Sequence, residues 1–243
     1  MSGPSRGVVI LSQAGALARR FPPAARALDR RLDRHRTALD ARYGPRDQER
    51  LAALQDKDGL LVNVGAGPSP VDGWINVDLL RDEAGDTIKL DATQPWPFRP
   101  GSIAAVNSEH FIEHLTIGEA RAYLREAFAA LAPGGVIRTS TPDMEGIARA
   151  YAEGRTELVA EHRKHGYEAR DLGDLVNNYF HQHGHRHIHD FASLRELLES
   201  AGFTDIERAD FGRSRHAELT GVDRHDTGAL RPLVIAVDAV KPR

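Results

Sequence analysis

Residues 60–80, LLVNVGAGPSPVDGWINVDLL, constrain the fold more than any other stretch. An apolar strand runs into a glycine turn, and a second strand follows that ends in an acid. Gly65 and Gly67 allow a backbone path, and a close approach to a ligand, that a Cβ would block. Strand and helix patterns then alternate. "TIKLDA" reads as a third, short strand and "IAAVNSE" as a fourth. "GEARAYLREAFAALAPGG" reads as a helix with Leu124, Phe128 and Leu131 on one face, stopped by Pro133-Gly134-Gly135. "VIRTSTP" is the fifth strand, and a polar, helix-prone insertion spans about 143–190. Ser193-Leu-Arg-Glu196 is a capping box for the helix "LRELLESAG". "FTDIERADF" and "RPLVIAVDAV" close the chain as strands with no helix between them, which pairs them antiparallel at one edge. The expected class is α/β: a Rossmann-like, doubly wound, mostly parallel seven-stranded sheet with an antiparallel edge strand.

Residues 1–58 carry helical spacing, with Leu28, Leu32 and Leu39 on one face, and Gly44-Pro45 interrupts the run before a short helix in "RDQERLAALQDK". This segment is expected to be a helical cap or lid on a domain formed by residues 59–243. No apolar run approaches the roughly 18–20 residues that span a bilayer, and the N-terminus shows no signal-peptide pattern. The chain has no cysteine, which removes disulfides, thiolate metal sites and a cysteine nucleophile. A cytoplasmic protein with no membrane partner is expected. The net charge of −3 argues against a nucleic-acid partner. Ten arginines do crowd residues 19–50, but five acids accompany them, as on a solvated helix face.

The glycine turn fails the tests for phosphate ligands. The dinucleotide fingerprint wants a third glycine where Pro70 stands, and a helix opening after the turn to face the pyrophosphate. Asp78 follows Gly65 by 13 residues, against roughly 20 in that pattern. No Gly-Lys-Ser/Thr follows either, so the Walker pattern is absent. What remains is a nucleoside without phosphate, its ribose held by a carboxylate and its adenine by a later strand end.

The series "NVGAGPSPVDGWINVDLL", "KLDATQPWPF", "AAVNSEHFIEHL" and "REAFAALAPGGVIRTSTPD" resembles the class I methyltransferases that use S-adenosyl-L-methionine, and is most similar to their type-11 group. The resemblance covers residues 60–142, and more loosely the closing "HDFASLRELLESAGF". It implies that Gly65, Ala66 and Gly67 line the methionine and ribose portion and that Asp78, with Leu79 beside it, receives the ribose hydroxyls. It implies further that Asp91 and Ala92 face the adenine, and that Asn107, Ser108 and Glu109 border the amino acid end and the sulfonium. Asn63 stands where the family often carries an acid directed at the ligand's amino group.

Methyl transfer from a sulfonium asks the protein mainly to align donor and acceptor and to exclude water. A base is needed only when the acceptor loses a proton. His110 is nearest the expected methyl position, and on a helix starting near residue 109 it would share a face with His114. Glu113 and His114 match the family's "EHL", so the candidate catalytic residues are His110, Glu113 and His114. A second cluster, His181, His183, His185, His187 and His189 followed by Asp190, would fall on one side of an extended segment. A polar acceptor-site loop, a base supplied from a lid and a transition-metal site all fit it, and no metal ligand is assigned. The expected function is methylation of a small-molecule acceptor such as a sugar, glycan or secondary metabolite, with oxygen favoured as the target atom. An NAD-dependent oxidoreductase and a non-catalytic nucleoside- or metal-binding protein are the rival readings. No Asn-Pro-Pro-Tyr or Asp-Pro-Pro-Tyr motif marks a nucleic-acid methyltransferase, and the sequence does not set the oligomeric state.

Overall fold

The computed structural model describes residues 42–68, 70–80, 85–225 and 228–243. The expected helical run carrying Leu28, Leu32 and Leu39 lies outside them. The chain divides into two units, Met1–Arg50 and Leu51–Arg243, where the sequence pattern set the boundary at residue 58. Helix α1, Pro45–Ala52, starts on the proline that follows Gly44, a position where the missing N–H costs nothing.

Seven strands form one sheet: β1 (Leu60–Val64), β2 (Ile75–Asp78), β3 (Ile88–Lys89), β4 (Ile103–Glu109), β5 (Leu131–Pro142), β6 (Thr204–Ala209) and β7 (Val234–Val240). Their order is β3-β2-β1-β4-β5-β7-β6. The first five pair in parallel, and β7 runs antiparallel to both β5 and β6. The antiparallel pair lies at the expected edge, with β6 outermost. The order reverses between β1 and β4, which places the ligand crevice at their carboxyl ends. Val62, Val64, Val106 and Ile137 are buried, as strands covered on both faces require.

Helix α2 (Ile117–Ala130) opens with a capping box: the Thr116 hydroxyl accepts from Glu119 N–H, and the Glu119 carboxylate accepts from Thr116 N–H. It ends at Ala130, ahead of the expected Pro-Gly-Gly stop, because Leu131 already pairs with Ile103 as the start of β5. The insertion folds into α3 (Met144–Ala152), α4 (Glu157–Lys164) and α5 (Leu172–His181). Its core joins Ile147, Leu158, Val159 and Leu175 to Leu230 and Leu233 of a 3-10 turn before β7. Each such fully buried aliphatic side chain contributes about 1.5–3 kcal/mol, so the insertion is built around an apolar centre.

Two local expectations change. Helix α6 (Phe191–Ala201) is capped by Asp190, whose carboxylate accepts from Ser193 N–H at 2.7 Å while Ser193 Oγ accepts from Asp190 N–H at 3.0 Å. Ser193 is therefore the third residue of the first turn and not the cap. The histidine run is not extended either. His181 ends α5, and residues Gln182–Gly184 form a 3-10 turn with His183 in the left-handed region at φ 58°. The five rings therefore do not line one face: His183 neighbours His185 and His187 neighbours His189, with centroids 5.9 and 4.5 Å apart, and exposure falls from His181 and His183 through the half-buried His185 and His187 to the buried His189.

Candidate active site

Two adjoining cavities open at the carboxyl ends of β1, β2 and β4, with volumes of about 880 and 1200 Å³. Gly65, Gly67, Pro68, Leu80, His110 and His114 line both. The larger is walled by Asp78, Leu79, Asp91, Ala92 and Thr93. The smaller is walled by histidines and tyrosines of the insertion, among them His162, Tyr167, Tyr179, His183 and His185, and by Glu109, Arg224 and His225.

The glycine turn is built as its sequence demands. Gly65 has φ +69°, and a Cβ there would meet the Phe111 ring at 2.7 Å. Its N–H and that of Ala66 donate to Val77 O, so the loop folds back over β2. Gly67 has φ +50°, and nothing lies within 4 Å of where its Cβ would stand. Asp78 ties the turn together: Oδ2 accepts from Gly67 N–H at 3.0 Å and Oδ1 from Leu80 N–H at 2.8 Å. Among the described residues no helix lies between β1 and β2, so no helix N-terminus faces the cavity for a pyrophosphate. Leu79 and Leu80 are 56% and 77% exposed, leaving apolar side chains beside the acid. Asp91 Oδ1 accepts from Thr93 N–H and Oγ1, while no hydrogen bond from the described residues engages its Oδ2. A carboxylate at each of two strand ends, an apolar rim and an open backbone turn fit a ribose and an adenine with no phosphate. This donor set matches S-adenosylmethionine.

Asn63, Asn107 and Ser108 do not line either cavity. Asn107 Nδ2 donates to Asn63 Oδ1, and Asn63 Nδ2 donates to Asn76 Oδ1, both at 2.9 Å. The three amides face one another because their residues are register partners on β4, β1 and β2. Ser108 is buried and donates to Thr139 Oγ1. These residues brace the sheet beneath the loop.

β4 delivers the reacting corner. His110 follows its last residue with φ 50°, a left-handed conformation that costs a non-glycine residue about 1–3 kcal/mol and concentrates at functional sites. Its N–H donates to Ser140 O at 2.8 Å, which pins the turn to β5. His110 and His114 do not share a helix face as expected, since only Ile112–His114 form a 3-10 turn. The turn nonetheless brings both to the cavities. His110 Nδ1 lies 3.0 Å from Glu113 Oε1, and Glu113 Oε2 accepts from Thr141 Oγ1 at 3.0 Å. Burial opposes charge on both partners. The bond between them, with their mutual charge, outweighs it, raising the His110 pKa above 6.5 and lowering that of Glu113 below 4.5.

A second histidine–carboxylate pair faces the first. Burial works against the Glu109 charge, but His225 Nδ1 at 3.0 Å and the backbone N–H groups of Arg224 and His225 hold its pKa below the ordinary value. The His225 ring stands edge-on to His110 with centroids 5.3 Å apart. Sequence reasoning missed Arg224 and His225, which stand more than a hundred residues from their partner. Arg138 secures their loop. Fully buried, it donates to both carboxylate oxygens of Asp238 and to Asp223, which also accepts from Gly212 N–H. His114 packs on His185 with centroids 4.9 Å apart. Glu113, His114 and His185 each place a possible ligand atom within 4.8 Å of the others.

No helix among the described residues is long and apolar enough to cross a membrane. No curated protein sequence matches the chain. Among solved structures, a Bordetella parapertussis protein described as a possible exported protein is 18% identical, covering 91% of this chain and 70% of its own, at a TM-score of 0.43. A methyltransferase from Archaeoglobus fulgidus that depends on S-adenosylmethionine is 15% identical, covering 85% and 94%, at 0.44. Phosphoethanolamine N-methyltransferase 2 of Haemonchus contortus is also 15% identical at 0.44, and this chain, 86% covered, spans 52% of its length. A family profile described as "Methyltransferase domain" matches residues 17–208. The chain belongs to this methyltransferase family.

Proposed function

We propose that the chain methylates a hydroxyl oxygen of a small-molecule acceptor (a sugar, glycan or secondary metabolite) bound in the cavity walled by His162, Tyr167 and Tyr179. In this reading Gly65, Ala66 and Gly67 receive the methionine and ribose portion of the donor, and Asp78 accepts from the ribose hydroxyls. Leu79 and Ala92 cover the adenine, Asp91 Oδ2 takes its exocyclic amine, and Glu109 borders the reacting end. S-adenosylmethionine supplies a methyl group on a sulfonium that leaves as a neutral thioether. His110 hydrogen-bonds the acceptor hydroxyl and takes its proton as the methyl arrives. Glu113 and Thr141 fix the ring that does so, and His114 lines the passage between the cavities.

The observation that carries this reading is His110: a strained residue at the boundary of both cavities, its Nδ1 tied to a buried carboxylate. Its remaining ring nitrogen is the one available to an acceptor. The test incubates the protein with methyl-labelled donor and a panel of polyhydroxylated compounds, with matched amines alongside, and identifies the labelled atom by mass spectrometry. O-methylated product is expected, with a rate that falls about 10²–10⁴-fold in His110→Ala while S-adenosylhomocysteine still binds. Methylation of the amines alone, or an unchanged rate in the variant, overturns it.

A further inference from the structure

We propose that Glu113, His114 and His185 form a binding site for a divalent transition metal of the zinc type, set at the junction of the two cavities. Two imidazoles and one carboxylate are a donor set suited to zinc and its neighbours, whereas magnesium and calcium prefer oxygen ligands throughout. The three ligand atoms lie within 4.8 Å of one another. A tetrahedral ion with bonds of about 2.0–2.1 Å needs them about 3.3 Å apart. Rotation of the two half-buried histidine rings is the movement that closes the gap, while the fully buried Glu113 stays anchored.

The surroundings are arranged as they are around ligating residues. His185 Nδ1 lies 2.6 Å from Tyr179 O. A carbonyl only accepts, so Nδ1 carries the hydrogen and Nε2 is left with a free lone pair. The Glu113 carboxylate is oriented by Thr141 and His110, as the outer-shell partners of a ligating carboxylate are. Arg186 N–H and His187 N–H both donate to Glu113 O, at 2.8 and 3.1 Å, and this clamp holds the His185 segment against the Glu113 turn. Three protein ligands leave one position open, and His114 lines both cavities. That position suits an acceptor oxygen, a consequence that rests on the proposed O-methylation. Metal binding itself does not.

The test uses the whole chain, stripped with a chelator and titrated with Co²⁺ while its ligand-field absorption is followed, then challenged with Zn²⁺. One Co²⁺ per chain, displaced by one Zn²⁺, is expected. His114→Ala and His185→Ala should each weaken binding at least about 100-fold. His181→Ala/His187→Ala should leave it unchanged, which separates the site from chelation by the rest of the histidine run. Both ligand variants replace half-buried side chains, and circular dichroism checks that they fold. Absence of stoichiometric Co²⁺ binding to the native chain overturns the proposal, as does binding lost only in the His181/His187 variant. Calorimetry with S-adenosylhomocysteine on the stripped protein reads the donor site separately, so the metal proposal and the methyltransferase reading fail independently.

Discussion

An alanine at Gly65 and an alanine at Gly67 should damage the protein in different ways, although both glycines have positive φ and stand two residues apart. Each substitution costs about 1–2 kcal/mol for placing a Cβ in the left-handed region. About 0.4–1 kcal/mol returns because alanine restricts the unfolded chain more than glycine does. At Gly67 the account stops there, since among the described residues nothing beyond its chain neighbours lies within 4 Å of the new Cβ. At Gly65 the Cβ would meet three carbons of Phe111 at 2.7–2.9 Å, well inside the roughly 3.5–4.0 Å of a good carbon contact. Phe111 cannot retreat freely, because it packs edge-on against the buried Tyr123 with centroids 5.1 Å apart. Overpacking of this kind adds about 1–3 kcal/mol. Gly65→Ala should therefore cost about 2–4 kcal/mol, or about 5–12 °C in Tm for a domain of this size. Gly67→Ala should cost about 1 kcal/mol or less, yet it places a methyl where the donor approaches and should weaken S-adenosylhomocysteine about tenfold or more by calorimetry. Equal losses of Tm, or native affinity in Gly67→Ala, would refute the reasoning.

Acid stability should depend on His189, whose ring nitrogens are buried without partners among the described residues and whose pKa burial pushes down to about 4. The unfolded chain binds this proton nearer 6.5, so stability is lost as pH falls from 6.5 toward about 4, by about 3 kcal/mol in all. Urea unfolding of His189→Leu should lack that slope, and curves parallel to the native protein's would contradict it. Arg138→Met should destabilise by about 3–5 kcal/mol, because Asp223 and Asp238 are left buried without their cation. A change under about 1 kcal/mol in the same assay would show that the network is already hydrated.

The strands around the site were legible because each is a short apolar run bounded by glycine, proline or an acid. "IAAVNSE" is β4 residue for residue. The absence of a helix after Gly67 was legible too, since two prolines within three residues forbid one. Sheet register was not. Asn63 was expected to contact the ligand because it stands where the resembled family often carries an acid. Its amide is spent on Asn76 and Asn107, and nothing in a linear string says which residues of three strands lie side by side. The histidine run misled through its period: alternation of two suggests a strand, but the left-handed His183 breaks the alternation at its second member. At α6, Asp190 and Ser193 are both good caps by type, and the choice went to the carboxylate that reaches the N–H three residues on. His225 gave no local signal, since its partner Glu109 stands on another element and Arg138 of the interior strand β5 anchors its loop through Asp223.

That arrangement bears on which atom is methylated. Among the described residues lining the histidine–tyrosine cavity, Glu109 is the one carboxylate. Oε1 accepts from His225 N–H, while Oε2 meets Arg224 N–H and the His225 ring. Glu113 lies just behind and is committed to His110 and Thr141. An ammonium acceptor entering here would be desolvated with no free anion to meet it among the described residues, at a cost of several kcal/mol. It would also face Arg224 and the His110–Glu113 pair, whose proton that carboxylate favours. A hydroxyl meets neither penalty: it can donate to an imidazole nitrogen and accept from another, and its ring carbons can lie against Tyr167 and Tyr179. The carboxylates at positions 109 and 113 thus act by occupying themselves with histidines. An amine-specific relative of this site would have to release one of them. Replacing His225 by alanine, which removes the imidazole from Glu109 Oε2 and leaves that oxygen only the Arg224 N–H, is the substitution that should shift acceptor preference from hydroxyls toward amines, and competition between the two classes under limiting donor would measure the shift.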